Sequence, residues 1–247
     1  MPPFLVRAVN TAADSENRIH DDRVAAEYGF QGGLVPGVTV YGYMASALLD
    51  KIGIEWLRRG AMDVRFFEPF YEGEQVAVSV EEKSAGRWTL KAGSRATATA
   101  SLADDAPAAG ELKQTSIDRK EPSRETIYAS ALLGSFEKTL DLSEPGMAAP
   151  LDAFIGDERF AHPAILLALA NELLVRNFVL GPWIHSSSEV RNASAVRDGE
   201  TVTVHGRIAD AFERKGHEIA VCDVALWCNS RLVATIRHTA IWKPRKV

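Results

Sequence analysis

The stretch VRFFEPFYEGEQVAV at residues 64–78 aligns without a gap with VRNASAVRDGETVTV at residues 190–204. The offset is 126 residues throughout, about half of the 247-residue chain, and it places Gly73 on Gly199. A repeat of this length is far longer than the roughly 20 to 50 residues of a solenoid unit. The sequence therefore predicts two copies of one domain, with the functional site between the two halves.

The composition is that of an ordinary globular protein, with 46% hydrophobic and 25% charged residues. The net charge of −5 argues against a nucleic-acid or anionic-membrane partner, because both require a basic surface. The amino-terminal residues lack the apolar stretch of a signal peptide, and no run approaches about 18 apolar residues. We expect a cytoplasmic protein that binds neither nucleic acid nor membrane.

Each half contains one long helical pattern followed by strand patterns. Apolar residues recur every three or four positions over residues 38–57 and again over residues 163–178, which indicates two buried helices. The same offset of 126 places Pro36-Gly37 on His162-Pro163, at the start of each helix. Alternating segments with glycine-containing turns follow, and they predict antiparallel strands. In the second half these strands are expected at residues 188–194, 200–211, 217–228 and 232–242.

The predicted architecture is α+β, with each helix lying across the concave face of a curved antiparallel sheet. We place the amino-terminal domain at residues 1–105 and the carboxy-terminal domain at residues 127–247. Residues 106–126 form the linker, in a region rich in proline, glycine and charge. Between residues 127 and 160 no period is clear, and the prolines and glycine at Pro145, Gly146 and Pro150 indicate irregular structure.

A short motif in the first half resembles that of a known family. Residues 15–20, SENRIH, together with Ala25, Gly29-Phe30 and Pro36-Gly37, resemble the MaoC-like, or (R)-specific enoyl-CoA hydratase, branch of the double hot-dog proteins. The family motif runs Asp, any residue, Asn, Pro, an aliphatic residue and His, and a later His-Gly opens the central helix. The matching residues are Asn17, Ile19, His20 and Gly37. The departures are Ser15 for the catalytic aspartate, Arg18 for the proline and Pro36 for the later histidine.

This resemblance implies a double hot-dog fold, in which two curved antiparallel sheets each wrap a long central helix. It implies a lyase that hydrates an enoyl thioester or dehydrates a 3-hydroxyacyl thioester, with no cofactor apart from the acyl-CoA or acyl-carrier substrate. The expected partner is that small molecule. Because two fused units already form a pseudo-dimer, the chain is expected to be a monomer or a homodimer.

The resemblance also assigns roles to the polar residues of the motif. His20 is expected to transfer protons, since an imidazole with a pKa near 6.5 exchanges protons around neutrality. Asn17 is expected to orient water or substrate. Either Ser15 works with His20 directly, or Glu16 or Asp14 supplies the missing carboxylate.

The predicted substrate-binding residues lie at the starts of the two long helices. The backbone N–H groups of Gly37 and Val38 would bind the thioester oxygen, a contact that needs no side chain and so survives the change at Pro36. Pro36 and Tyr41 are assigned to the same site. His162 would line the substrate tunnel, or it is a structural residue at the start of its helix.

Two other functions stay open at this point. In a hot-dog thioesterase, His20 or a carboxylate would activate water against the carbonyl carbon. A non-catalytic acyl-thioester-binding protein would also fit the absent aspartate. The histidines show no short spacing of the type that binds metal, so we expect no metal site. The basic pairs Arg58-Arg59 and Arg214-Lys215, and the tail at residues 243–246, either meet the phosphates of coenzyme A or form solvated surface.

Overall fold

The computed structural model describes residues 2–105, 107–110, 114–129, 132–143, 154–155 and 158–246. The α-helices formed by these residues are α1 (Asp22–Ala26), α2 (Gly37–Ile52), α3 (Ile54–Arg59), α4 (Arg124–Ala129) and α5 (Pro163–Asn177). A 3₁₀ turn at Arg18–His20 precedes α1. The strands are β1 (Phe4–Arg7), β2 (Gly60–Phe66), β3 (Gln75–Ser84), β4 (Arg87–Ala92), β5 (Ala96–Leu102), β6 (Phe136–Thr139), β7 (Phe154–Ile155), β8 (Glu158–Arg159), β9 (Ile184–Asn192), β10 (Thr201–Arg214), β11 (His217–Cys228) and β12 (Arg231–Lys243).

Ten of these strands form one antiparallel sheet in the order β1-β3-β4-β5-β2-β9-β12-β11-β10-β6, while β7 and β8 pair separately. The sequence led us to expect one sheet in each half. The two sets of strands instead join edge to edge, because residues 61–65 of β2 pair with residues 187–191 of β9. Asp63 lies opposite Glu189, its own equivalent in the repeat, so a pseudo-twofold axis passes through this pair.

The predicted duplication is visible in the boundaries of the elements. The starts of α2 and α5 are 126 residues apart, as are the starts of β3 and β10. Gly73 and Gly199 both have a φ of +79°, a conformation that glycine adopts without strain, at the turn before these strands. The repeat in the sequence is therefore a repeat of structure, and the domain boundaries at residues 105 and 127 stay predictions.

The two long helices pack against each other and against the sheet, and their apolar side chains form the core. The helix predicted over residues 38–57 is two helices, because Gly53 adopts a φ of +70° and ends α2. The second long helix agrees with its prediction to within one residue at its end. No helix among the described ranges is both long and apolar enough to cross a membrane.

The region between the halves is only partly described. Of the predicted linker, residues 106 and 111–113 lie outside the described residues, as do Pro145, Gly146 and Pro150. The described part is held to the second half where the Lys120 N–H donates to the Asn177 carbonyl at 2.9 Å. The region expected to be irregular contains β6, which pairs with β10 as β1 pairs with β3.

Candidate active site

Asn17 joins the motif of the first half to the second half. Its amide pairs with the backbone of Trp183 in both directions, since Nδ2 donates to the Trp183 carbonyl at 3.0 Å and Oδ1 accepts from the Trp183 N–H at 3.0 Å. Oδ1 also accepts from the N–H of Ile19 at 3.4 Å and so caps the 3₁₀ turn. The motif is therefore fixed against the strand that follows Trp183.

The two ring nitrogens of His20 have different roles: one donates a hydrogen bond and the other accepts one. Nδ1 lies 2.6 Å from the carbonyl oxygen of Leu34, which can only accept, so Nδ1 carries the proton. Nε2 then presents its lone pair, 3.2 Å from the Nδ2 donor of Asn17. Burial lowers the pKa of His20 and outweighs the opposing effect of the hydrogen bond to Leu34. The ring is therefore a neutral base at physiological pH.

The backbone of His20 is enclosed as tightly as its ring. Its carbonyl accepts from Asn10 Nδ2 at 2.9 Å. A Cβ added to Gly33 would lie 2.0 Å from the same oxygen, so only glycine fits at that position. These contacts fix the direction in which the ring projects.

A cavity of about 220 Å³ opens beside His20. From the first half, Asn17, His20, Pro36 and Gly37 line it; from the second half, Trp183, Ile184 and His185 do so. Apolar side chains cover much of the remaining wall, among them Ile19, Phe30, Leu34, Val40, Phe66 and Phe70. The cavity therefore lies between the two halves, as the repeat predicted.

Helix α2 begins at this cavity with unpaired backbone donors. Pro36 is its N-cap, and the Pro36 carbonyl accepts from Thr39 and Val40. Among the described residues, the N–H groups of Gly37 and Val38 have no hydrogen-bond partner. Gly37 lines the cavity, whereas Val38 lies next to it in the helix and outside the lining. The positive end of the helix dipole and these two donors favour an oxygen that gains negative charge.

The other residues predicted from the motif lie outside the cavity lining formed by the described residues. Ser15 is half-buried, and its hydroxyl donates to the Asn17 carbonyl at 3.4 Å. Glu16 is exposed and forms an ion pair of 2.6 Å with Arg119, and Asp14 is exposed as well. Neither carboxylate is thus positioned to replace the aspartate of the family motif.

His162 and Tyr41 are buried away from the cavity. His162 caps α5 by accepting from the Ala164 N–H at 3.1 Å, and its Nε2 donates to the Ser46 hydroxyl at 3.1 Å. Burial lowers its pKa to about 3. The geometry fits the structural alternative for His162 and not the substrate-binding one. Tyr41 is fully buried, burial raises its pKa, and its hydroxyl has no partner among the described side chains.

Five polar residues of the lining were not assigned to the site from the sequence: Glu68, Asn171, His185, Ser186 and His217. Glu68 is exposed and is the one carboxylate among the described lining residues. Asn171 interrupts the apolar stripe of α5, and its buried Oδ1 has no partner among the described residues. A polar residue within an apolar helical pattern is visible in the sequence, whereas no sequence pattern marked Glu68 or His185 as a site residue.

No cluster of three or more His, Cys, Asp or Glu side chains suited to a metal ion occurs within the described parts of the chain. Of the basic groups, Arg58 and Arg59 pair with Glu55 on their own helix. The carboxy-terminal tail contacts the cavity wall, since the Arg245 N–H donates at 3.1 Å to Nδ1 of His217, a lining residue.

Comparison with known proteins shows the fold of this chain. No protein-family model matches the sequence, and no curated protein sequence matches it significantly. A conserved hypothetical protein from Mycobacterium tuberculosis with a double hotdog fold, essential for bacterial survival during infection, is 13% identical, with a TM-score of 0.57 and coverage of 98% of this chain and 96% of that one.

Two further similar structures carry enzyme names. A protein from Chloroflexus aurantiacus named as a MaoC domain protein dehydratase is 10% identical, with a TM-score of 0.58 and coverage of 99% and 94%. A protein from Lactobacillus plantarum named as an oleoyl thioesterase is 10% identical, with a TM-score of 0.57 and coverage of 100% and 96%. At such identities the likeness shows the fold alone, and the predicted double hot-dog fold is confirmed.

Proposed function

We propose that this protein is an acyl-thioester hydratase or dehydratase whose chemistry depends on His20. The observation that carries the proposal is the fixed tautomer of His20: Leu34 holds the Nδ1 proton, so the basic nitrogen is Nε2, which accepts from Asn17 beside an apolar cavity. An unprotonated imidazole of this kind is a general base. The fold, which this chain shares with proteins named as dehydratases and thioesterases, supports the same class of substrate.

In the proposed hydration, His20 Nε2 removes a proton from water while the water oxygen bonds to the β carbon of the enoyl thioester. The electron pair of the double bond moves toward the thioester oxygen, and the N–H groups of Gly37 and Val38 stabilise the charge that develops there. The imidazolium of His20 then returns a proton to the α carbon. Dehydration is the same sequence reversed, and no cofactor is required.

The surrounding residues restrict where water and substrate lie. The Nε2 lone pair of His20 accepts from Asn17 Nδ2 at 3.2 Å. A water molecule reaches that nitrogen by displacing this contact, and the Asn17 Nδ2 donor then holds the water oxygen. The apolar wall, with Phe66 and Phe70, suits an acyl chain and limits the access of other water. The proposed substrate is therefore an acyl-CoA or an acyl-carrier thioester.

Hydrolysis of an acyl thioester is the second candidate, and Ser15 is the observation that favours it. With serine at the position of the motif aspartate, His20 is left without a neighbouring carboxylate, since Glu16 pairs with Arg119. A single base and the N–H donors of α2 are sufficient to activate water against a carbonyl carbon. A protein that binds acyl thioesters without turnover would have the same cavity.

One experiment separates these activities. The purified protein is incubated with crotonyl-CoA while the enoyl absorbance is followed, and a free-thiol assay is run on saturated acyl-CoAs. Loss of the enoyl absorbance without thiol release indicates hydration, and thiol release indicates hydrolysis. Binding with neither change indicates a binding protein and contradicts the proposal.

His20→Asn is the variant that tests the assignment of the base. Asparagine is able to retain the donor at the Nδ1 position for Leu34, while it removes the basic Nε2. We expect turnover to fall by roughly 10²-fold or more. His205→Gln is the matched control, because His205 is buried in the second half and lies outside the cavity lining. Unchanged turnover in His20→Asn would reject His20 as the base.

A further inference from the structure

A chain of three buried polar side chains runs from the cavity wall into the second half. Nε2 of His185 lies 2.8 Å from the Ser188 hydroxyl, and the same hydroxyl lies 3.0 Å from Nδ1 of His238. His185 is 7% exposed, Ser188 2% and His238 0%. The outer nitrogens, His185 Nδ1 and His238 Nε2, are buried without a partner among the described residues.

The free end of this chain lies at the start of α2. A Cβ added to Gly37 would lie 2.6 Å from His185 Nδ1 and 3.0 Å from its Cγ, so the ring lies directly against the first residue of the helix. The ring is held from the other sides by Phe66, with ring centres 4.8 Å apart, and by His238, with ring centres 4.3 Å apart. His185 Nδ1 therefore lies beside the unpaired N–H donors at the start of α2.

The hydrogen bonds of the chain permit two arrangements of protons. A serine hydroxyl has one hydrogen to donate and lone pairs with which to accept. If Ser188 donates to His238, then His185 donates from Nε2 and its Nδ1 is a bare acceptor. If Ser188 donates to His185 Nε2 instead, then His238 donates from Nδ1 and His185 carries its proton on Nδ1. The proton state of Nδ1 at the cavity is thus coupled to His238.

A partnerless nitrogen is unexpected for a residue with only a packing role. Leaving a buried polar atom without a hydrogen bond is unfavourable, and an aromatic residue would fill the same space without that cost. Burial and the nearby His238 hold the pKa of His185 well below its usual range, so the ring is neutral and has one N–H to offer. A ligand oxygen at the start of α2 would satisfy Nδ1.

We propose that His185 donates a hydrogen bond from Nδ1 to the thioester carbonyl oxygen, as a third donor beside the N–H groups of Gly37 and Val38. Ser188 and His238 are positioning residues that hold His185 in the required tautomer. The inference rests on the proposed function, because it needs a thioester as the ligand. It adds a catalytic side chain from the second half to a site whose base comes from the first.

Two substitutions at His185 distinguish its two nitrogens. His185→Gln extends an amide to the position of Nε2, so it preserves a partner for Ser188 and removes the donor at Nδ1. His185→Asn places an amide nitrogen near the position of Nδ1 and preserves that donor. Removal of one donor to a developing oxyanion typically costs 10²–10³-fold in kcat.

We expect His185→Gln to lower kcat by about 10²-fold with a smaller change in KM, and His185→Asn to retain most of the activity. His205→Gln is again the control and should not change kcat. Equal kcat values for His185→Gln and the wild type, in a wild type that turns over thioester, would overturn this inference and leave the proposed function intact. A wild type that neither turns over nor binds acyl thioesters would overturn both.

A second measurement uses the unchanged protein and does not depend on how the variants fold. The complex is formed with a ketone analogue of butyryl-CoA, in which a methylene replaces the sulfur, so that the carbonyl is present and cannot be hydrolysed. The ¹⁵N NMR shifts of the His185 ring then report its tautomer. We expect the proton on Nδ1 and a shift of that signal on binding. A proton on Nε2 in the complex would contradict the proposal.

Discussion

His185, in the second half of the chain, lies with its ring against Gly37, the first residue of the long helix of the first half. The position that a Cβ on Gly37 would occupy is 2.6 Å from His185 Nδ1. This contact brings the helix start of one half and a strand of the other to the same cavity. It also means that residue 37 has no room for a side chain.

Gly37→Ala should destabilise the protein, although alanine normally favours a helix by about 1 kcal/mol. The added methyl group would overlap the His185 ring, and such overpacking typically costs about 1–3 kcal/mol. The free energy of unfolding in urea measures the effect. Gly181→Ala is the control, because a Cβ there meets no atom within 4 Å. Equal unfolding free energies for the two variants would show that the ring does not occupy this space.

Ser15→Asp should increase hydration of crotonyl-CoA. The change restores the carboxylate of the family motif five residues before His20. Ser15 lies outside the cavity lining, so the longer aspartate side chain has to turn from the Asn17 carbonyl toward His20 to hold the attacking water. We expect a gain of roughly 10-fold or more, since one acid–base group typically contributes 10²–10⁴-fold. The Ser15→Asn variant has the same shape as Ser15→Asp but no charge, and it should give no gain in hydration rate. A rate for Ser15→Asp no higher than that of Ser15→Asn would argue against hydration as the reaction.

Stability should fall in mild acid because several histidines are buried in the neutral form. Burial lowers the pKa of His162 and of His238 to about 3, and burial lowers that of His185 well below its usual range. The unfolded chain, with a pKa near 6.5 for each histidine, binds protons first as the pH falls. His162 and His238 should therefore each cost about 2 kcal/mol of unfolding free energy between pH 7 and pH 5.

His162→Asn isolates one of these contributions, because asparagine is a good N-cap for α5 and does not titrate in this range. The loss of unfolding free energy between pH 7 and pH 5, measured in urea, should be about 2 kcal/mol smaller in the variant than in the wild type. An identical loss in both proteins would mean that His162 is not the buried neutral group described above.

The carboxy-terminal tail should contribute to the binding of coenzyme A. Arg245 packs on Gly216 and bonds to His217, which lines the cavity. Arg245→Gln should weaken butyryl-CoA binding by roughly fivefold, the scale of one exposed charge interaction. The same variant should not change the binding of a pantetheine thioester, because that ligand lacks the nucleotide phosphates. Arg58→Gln, on a helix where Arg58 pairs with Glu55, is the control, and calorimetry supplies the dissociation constants. Equal weakening for both ligands would exclude a phosphate contact.

The sequence predicted the repeat because the offset between its two copies is constant. It predicted the two long helices because their apolar residues recur every three or four positions. The structure keeps the offset of the repeat between Gly73 and Gly199, and it keeps the same offset between the starts of α2 and α5. The break at Gly53 was not predicted, since the apolar stripe continues across it. β6 was not predicted either, because four residues are too few to show an alternation.

The candidate site was predictable only where a local motif existed. Asn17, His20 and Gly37 follow one another closely in the chain, and the structure brings them to one cavity. His185 comes from a strand more than 160 residues after His20, and its position depends on the pairing of the two halves. Glu16 pairs with Arg119, and no local pattern indicated that partner.

A crystal structure of the protein with the ketone analogue of butyryl-CoA tests the central claim most directly. We predict that the carbonyl oxygen lies within hydrogen-bonding distance of the Gly37 or Val38 N–H, with the acyl chain in the cavity and its β carbon facing His20 Nε2. An acyl group bound anywhere else, or a carbonyl oxygen directed away from the start of α2, would contradict the account.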